Sequence, residues 1–273
     1  MQVHTIFQKR KISMKIPLVK VIDRVELANF QKDKLNLKNV TIKIGVEVRK
    51  IAKNYVLVDN EKIGYSYLVG ADGVNSIVRK YLNIKTKNLT MGIQYLIKKT
   101  DSFKNYEMFF DPRYFGSSYT WIIPHKNHVV IGIGTEQKFM STKKLKENFD
   151  KWLRLNGIDV SQAKFEAFPI NHDYKGHQFG NIFLVGDAAG FSSRLTGEGI
   201  YQAIISGEEV AKKIIDNDYE SLPIKRILKK KKFHSFLVST LGISKYSAII
   251  IYEIFSLCLK SKRFVNKLIT KGI

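Results

Sequence analysis

The residues of this chain best suited to chemistry are two aspartates, each delivered by an apolar run into a glycine-rich turn. Residues 181–185 (NIFLV) have the continuous apolar character of a strand buried on both faces. They lead into Gly186-Asp187-Ala188-Ala189-Gly190, whose small residues let a ligand approach the backbone. After a short loop, Thr196-Gly197-Glu198-Gly199 opens a helical pattern that runs to Ile215. A helix start offers unpaired N–H groups and a positive dipole end, suited to a phosphate or an electron-rich carbonyl. A carboxylate beside it, at Asp187, can accept hydrogen bonds from sugar hydroxyls. The second junction is YLVGADGVNSIVRKYL, residues 67–82. Here Asp72 falls at the carboxyl edge of a sheet, where α/β proteins bind nucleotides. GADG alone is a common turn. Its continuation through Ser76 and Arg79, as GADGxxSxVR, is more specific, and two such junctions in one chain exceed ordinary turn chemistry.

The pair resembles the "DG" and "GD" motifs of flavoprotein hydroxylases and their relatives. The wording GDAAG…TGEGI…A…SG is similar to the geranylgeranyl reductase family of FAD-dependent oxidoreductases. Tyr119-Thr120-Trp121-Ile122-Ile123-Pro124, followed by HVVIGIG, resembles that family's YxWxFP segment and next strand, and Val21-Ile22-Asp23-Arg24 resembles one of its helix starts. The resemblance covers about residues 21–215. It implies FAD as cofactor, NAD(P)H or a ferredoxin as electron donor, and reduction of C=C bonds in geranylgeranyl or other isoprenoid lipid groups. By the same resemblance, Gly186 and Asp187 meet the ribityl or pyrophosphate region, and Asp72 and Gly73 buttress the pyrophosphate. The backbone N–H groups of Gly197, Gly199 and Ile200 face the flavin N1/O2 edge, and Arg24 lies along the cofactor. Tyr119 and Trp121 line the isoprenoid pocket. No proton donor is identified.

The sequence departs from the family in three places. The family's opening strand and GxGxxG turn have no counterpart; Gly132-Ile133-Gly134 lies late in the chain, among strand residues, and lacks the third glycine. The missing unit implies lost or separate residues, with a second chain as a candidate partner. Arg194 stands where the family has proline, which predicts a less rigid loop. Gly116 and Ile123 replace the proline and phenylalanine of the lipid-pocket motif. A monooxygenase or halogenase on the same scaffold stays open, as does a non-catalytic remnant with a membrane-binding basic tail.

Positioning these residues requires an α/β fold: an incomplete Rossmann-like FAD-binding layer, interleaved in sequence with an antiparallel-sheet substrate domain, then a helical tail. The expected divisions are 1–85 for part of the FAD-binding domain, 86–170 for the substrate sheet, 171–220 for the return of the FAD-binding domain, and 221–273 for the basic helical tail. Residues 21–36 read as a helix with Val21, Val25, Ala28 and Leu35 near one face, and residues 40–58 as short antiparallel strands. The histidines show no metal spacing, and His125, His128, His172, His177 and His234 are expected at the surface or at strand ends. The one cysteine, Cys258, excludes an internal disulfide framework.

Charge is the compositional outlier: 46 Lys and Arg against 24 Asp and Glu, a net +22. Lys225, Arg226, Lys229, Lys230, Lys231 and Lys232 crowd one stretch; Lys260, Lys262, Arg263, Lys267 and Lys271 crowd another. The apolar segment between them is interrupted by Gly242, Lys245 and Glu253, so it is a poor spanning helix. It suits either a cap on the substrate pocket or helices lying on an anionic membrane. No specific nucleic-acid partner is expected. The opening residues carry no apolar signal-peptide core, so the expected location is the cytoplasm, peripheral at the inner face of the membrane.

Overall fold

The computed structural model describes residues 1–13 and 21–271, with side chains up to Asn266. Lys267 and Lys271 of the second basic cluster lie outside the described side chains. The first elements are β1 (Gln2–His4), β2 (Lys9–Lys11), α1 (Arg24–Asp33), β3 (Val48–Ile51), β4 (Tyr55–Val58), β5 (Glu61–Gly64), β6 (Leu68–Gly70) and α2 (Ile77–Tyr81). Then come β7 (Leu89–Lys98), β8 (Glu107–Phe109), α3 (Pro112–Phe115), β9 (Thr120–Pro124), β10 (His128–Glu136), α4 (Thr142–Leu155) and β11 (Lys164–Asn171). The chain continues with β12 (Gln178–Phe179), β13 (Ile182–Leu184), α5 (Gly186–Ala189), α6 (Ile200–Ile215), α7 (Leu222–Leu241), α8 (Lys245–Cys258) and α9 (Lys262–Lys271).

Seven strands form the large sheet, in the order β11-β7-β10-β9-β8-β1-β2. Period-two alternation along β10 sends Val129, Ile131 and Ile133 to one face. There they pack on Leu145, Phe149, Trp152 and Leu153 of α4, whose start is capped by Ser141. The opposite face carries Trp121 over Gly132. A Cβ at Gly132 would stand 2.6 Å from the indole, so glycine here makes room for the ring. The GIG of this strand is a packing device.

The second layer is smaller. β13 runs parallel to β6, with Leu184 opposite Gly70, and β12 pairs with β13 on its other side. β6 is therefore the edge of this sheet. Ile182 and Leu184 share a core with Val78 of α2, Ala188 and Ala189 of α5, and Ile224 and Ile227 of α7. A third core joins Val3, Ile12 and Phe110 to Leu241, Ala248, Tyr252 and Leu259. The α/β architecture with an interleaved sheet and helical C-terminal region is thus the expected one.

Local departures from expectation have physical causes. The large sheet is mixed, because β1 pairs with β8 in parallel. Residues 1–13, grouped above with the FAD-binding layer, add β1 and β2 to the large sheet instead. The helix within 21–36 forms, with Asp23 accepting from the N–H groups of Val25 and Glu26, but it buries no side chain. Val21, Val25 and Leu35 are exposed, so the expected packing face is not covered by the described residues. Residues 40–46 form no strand; the antiparallel pairing begins at Val48.

Candidate cofactor site

The two aspartate junctions emerge side by side. Their strands are adjacent and parallel, and the N–H of Val185 donates to the carbonyl of Gly70 at 3.0 Å. Asp72 Oδ2 accepts from the N–H groups of Ile77 at 2.7 Å and Val78 at 3.3 Å, and Ser76 Oγ accepts from Arg79 N–H at 2.9 Å. Asp72 thus organises the start of α2, with Gly73 beside it in the left-handed region. Arg79 is buried and donates to the carbonyls of Ala188 at 3.2 Å and Asp173 at 2.8 Å. The arginine of the first motif therefore fastens the second. Burial pulls its pKa down, against the pull of Asp173.

Asp187 sits in the first turn of α5. Its carbonyl accepts from Asn171 Nδ2 at 2.7 Å, and its carboxylate accepts a short hydrogen bond from Ser192 Oγ. Burial raises its pKa, opposed by Ser192 and the Lys231 charge. Gly190 ends the turn at φ +81°, with Asp173's backbone so close that a Cβ would lie 2.6 Å from it. Glycine is the residue that fits there.

The loop that follows is braced by α7 at three consecutive residues. Lys231 Nζ donates to the carbonyls of Ser192 at 2.6 Å and His172 at 3.2 Å. Ser193 Oγ lies 2.7 Å from His234 Nδ1 and accepts from Thr196 N–H at 3.1 Å. Arg194 donates to the Ser235 carbonyl at 3.0 Å and Ser239 Oγ at 3.2 Å, while its Nε holds the buried Glu136 at 2.5 Å. The loop expected to be loose for want of proline is cross-braced by the arginine. Burial opposes ionisation of Glu136, yet the Arg194 hydrogen bond and charge outweigh it and keep its pKa low. Burial draws Lys231 down to about 8, against Asp187 and Asp173.

His234 corrects an expectation, being buried within α7 rather than at the surface or a strand end, whereas His172, also buried, follows the end of β11. Burial lowers each to about 4, so both are neutral near pH 7, and the Nε2 of each has no hydrogen-bond partner among the described residues. Lys231, His234, Glu136 and Asn171 were not singled out as site residues from sequence. A signal existed for two of them. The inward apolar positions of α7, namely Ile224, Ile227, Val238 and Leu241, recur at helical spacing, and 231 and 234 complete the stripe.

Across the loop stands the large sheet. Tyr119 donates its hydroxyl to the Thr196 carbonyl at 3.0 Å, and burial raises its pKa. Its ring lies 6.2 Å from that of Trp121, edge-on. α6 starts at Ile200 without a side-chain cap, so its first N–H groups are open to a ligand. Gly197 takes φ +69°, and a Cβ on Gly199 would lie 2.7 Å from Ser192 Oγ. Asp72, Gly73, Gly186, Asp187, Gly197, Gly199 and Ile200 therefore gather around two adjoining strand ends, and Tyr119 reaches the same loop. Arg24 is elsewhere, on exposed α1, where its charge acts on Glu166 of β11. A cavity of about 350 Å³ lies between α3, α4 and β1 and includes neither Tyr119 nor Trp121.

Residues 47–217 match the family described as "FAD binding domain", and the chain belongs to that family. It is 29% identical over 239 residues to an uncharacterised protein of Methanosarcina barkeri, covering 84% of this chain and 60% of that one. It is 29% identical to the digeranylgeranylglycerophospholipid reductase of Methanocaldococcus jannaschii, covering 65% and 50%. With the chloroplastic geranylgeranyl diphosphate reductase of Oryza sativa it shares 33% identity, covering 54% and 33%. The chain thus spans at most 60% of the length of these three relatives. Among solved structures, a geranylgeranyl bacteriochlorophyll reductase-like protein of Thermoplasma acidophilum superposes with TM-score 0.59 at 19% identity, covering 77% and 60%. A flavin-dependent brominase superposes with TM-score 0.59 at 14% identity, covering 92% and 79%. The residues present fit FAD: an uncapped helix start beside a carboxylate turn.

Proposed function

We propose that this chain supplies the flavin-facing loop and substrate sheet of an FAD-dependent reductase acting on C=C bonds of geranylgeranyl or related isoprenoid lipids. The observation that carries the reading is the meeting of Asp187, the open start of α6 and Tyr119 on one loop. When bound and reduced by NAD(P)H or a ferredoxin, FAD supplies hydride to the alkene, while a proton completes the addition. Asp187 would accept from ribityl hydroxyls or orient the pyrophosphate region with Gly186. N–H groups at Gly199 and Ile200 would favour negative charge at the N1/O2 edge, whereas that of Gly197 is taken by the Ser193 carbonyl. Asp72 and Gly73 would hold the turn beside the pyrophosphate, and Tyr119 and Trp121 would wall an apolar chain.

Several further parts belong to the same reading. Arg24 would approach the cofactor only when α1 docks. A second segment or chain would bring the pyrophosphate turn, which the open edge of β6 and the exposed apolar side chains of residues 21–48 support. The layout in sequence is 1–85 and 171–220 for FAD, 86–170 for substrate and 221–273 for the tail, except that β1 and β2 join the substrate sheet. No described helix is long and apolar enough to cross a membrane, and the reading places the protein at the cytoplasmic inner face in peripheral contact with anionic lipid.

The deciding experiment, with the pyrophosphate-binding unit supplied in cis or in trans, is FAD affinity by fluorescence quenching for the wild type and Asp187→Ala, beside the melting temperature without cofactor. A lost charged acceptor costs about 1.5–3 kcal/mol, so affinity should fall roughly tenfold or more. Unchanged affinity with a lower melting temperature would leave Asp187 a structural residue. Product analysis separates the scaffold's other chemistry: a saturated isoprenoid supports this reading, a hydroxylated or halogenated product the rival.

A further inference from the structure

α8 turns its apolar residues outward. Ala248, Tyr252 and Ser256 are buried, and Glu253 is taken up by Thr5 and Gln8, accepting from them at 2.9 and 2.8 Å. The exposed positions after Lys245 are Tyr246, Ile250, Ile254 and Leu257, at 65%, 60%, 53% and 48% exposure. Their spacing of four, four and three puts them on one stripe, about 16 Å long at 1.5 Å per residue. Ile243 in the preceding turn and Phe236 near the end of α7 are exposed as well.

In sequence, exposed cations flank this apolar stretch on both sides. Before it, the exposed side of α7 carries Lys225, Arg226, Lys229 and Lys232. After it come exposed Lys260, Lys262 and Arg263. Apolar side chains framed by lysine suit an interface where acyl chains lie beneath anionic headgroups. Nucleic acid would meet the cations but leave the apolar stripe in water. We infer that the outward stripe of α8, with Ile243 and Phe236, docks on the surface of an anionic lipid bilayer. The inference deepens the lipid-substrate reading by naming the surface that meets the membrane, yet the surface itself needs no flavin.

Vesicle co-sedimentation tests it on the purified chain without cofactor. The wild type should sediment with phosphatidylglycerol-containing vesicles and not with neutral phosphatidylcholine. Binding should weaken as salt rises to about 1 M, where the Debye length is about 3 Å. Ile250→Asp/Ile254→Asp should keep its melting temperature and lose about tenfold or more in affinity. Ile42→Asp/Ile44→Asp, which charges another exposed apolar stretch, should bind as the wild type does. Ile254→Trp should shift its emission to the blue on anionic vesicles alone, which reads the same face without charging it. The inference is overturned by no binding to anionic vesicles, or by equal binding to neutral ones. Loss in the Ile42/Ile44 variant equal to that in the α8 variant overturns it too, as does a wild-type dimer that Ile250→Asp/Ile254→Asp converts to monomer. Because FAD affinity is measured separately, failure here leaves the flavin reading standing.

Discussion

The loop at residues 191–199 and the segment at residues 21–48 are opposites in how their groups are used. In the loop, Ser192, Ser193 and Arg194 each hold a partner on α7. In the segment, α1 buries nothing, and Val25, Phe30, Leu37 and Ile44 stand in solvent. Both have well-formed local chemistry, since Asp23 caps α1 as properly as Ser221 caps α7. Capping and propensity alone leave a ten-residue helix marginal; packing is what fixes position. The loop, and not the segment, is accordingly the one tied to buried charge.

The largest expected effect breaks the braced side. Glu136→Ala leaves the Arg194 guanidinium buried without its carboxylate, at a cost of about 3–5 kcal/mol by denaturant unfolding. A loss below 1 kcal/mol would mean the ion pair is not what holds the loop. Next come the buried histidines. His172 and His234 bind protons near pH 4 when folded against 6.5 when unfolded, so the unfolded chain holds more protons between those values. Stability therefore rises with pH across that window and is lost as pH falls through it, by roughly 3 kcal/mol for each histidine. His234→Gln should flatten the midpoint-against-pH curve between pH 4 and 6.5, and an unaltered curve would rule His234 out.

Lys231 sharpens the comparison at alkaline pH. Its folded value of about 8 lies below the unfolded 10.5, so its contribution to stability grows as pH climbs through that interval. Solvent reaches part of the side chain, which limits the gain to roughly 1–2 kcal/mol. Lys231→Met should remove this slope; the same slope in the variant would assign it to another group. The smallest effect belongs to the open side. Phe30→Ser should change stability by less than about 0.5 kcal/mol, because the ring contacts no core. A loss above 1 kcal/mol would show that α1 is packed after all.

Much of this contrast was readable before any coordinates, though unevenly. The NIFLV strand, the turn at Asp187 and the helix from Ile200 carry strong apolar and glycine signals, and they stand as read. α1 is legible as a helix through the spacing of Val21, Val25, Ala28 and Leu35, but its lack of burial is not, since burial depends on a neighbour that local pattern does not name. β1 and β2 are three residues each, too short for a period to show, so their place in the large sheet was hidden. Lys231 and His234 were obscured by composition. In a run of lysines the charge drew the eye, while the helical spacing from Ile224 to Leu241 marked both as inward-facing. His172 follows a strand end and is buried by contacts distant in sequence, which only the fold reveals.

The four bonds between α7 and residues 192–194 also bear on kinetics of opening. A loop anchored by side chains to one helix cannot leave while that helix stays, nor can the helix depart without releasing the loop. Protected amides in the two should then exchange with solvent as one cooperative unit, sharing a single opening free energy despite some forty residues between them. The N–H of Gly197, bonded to the Ser193 carbonyl, and that of Lys225 in the first turn of α7 are convenient reporters. Local fraying would separate their rates, whereas a shared foldon gives both the same denaturant dependence.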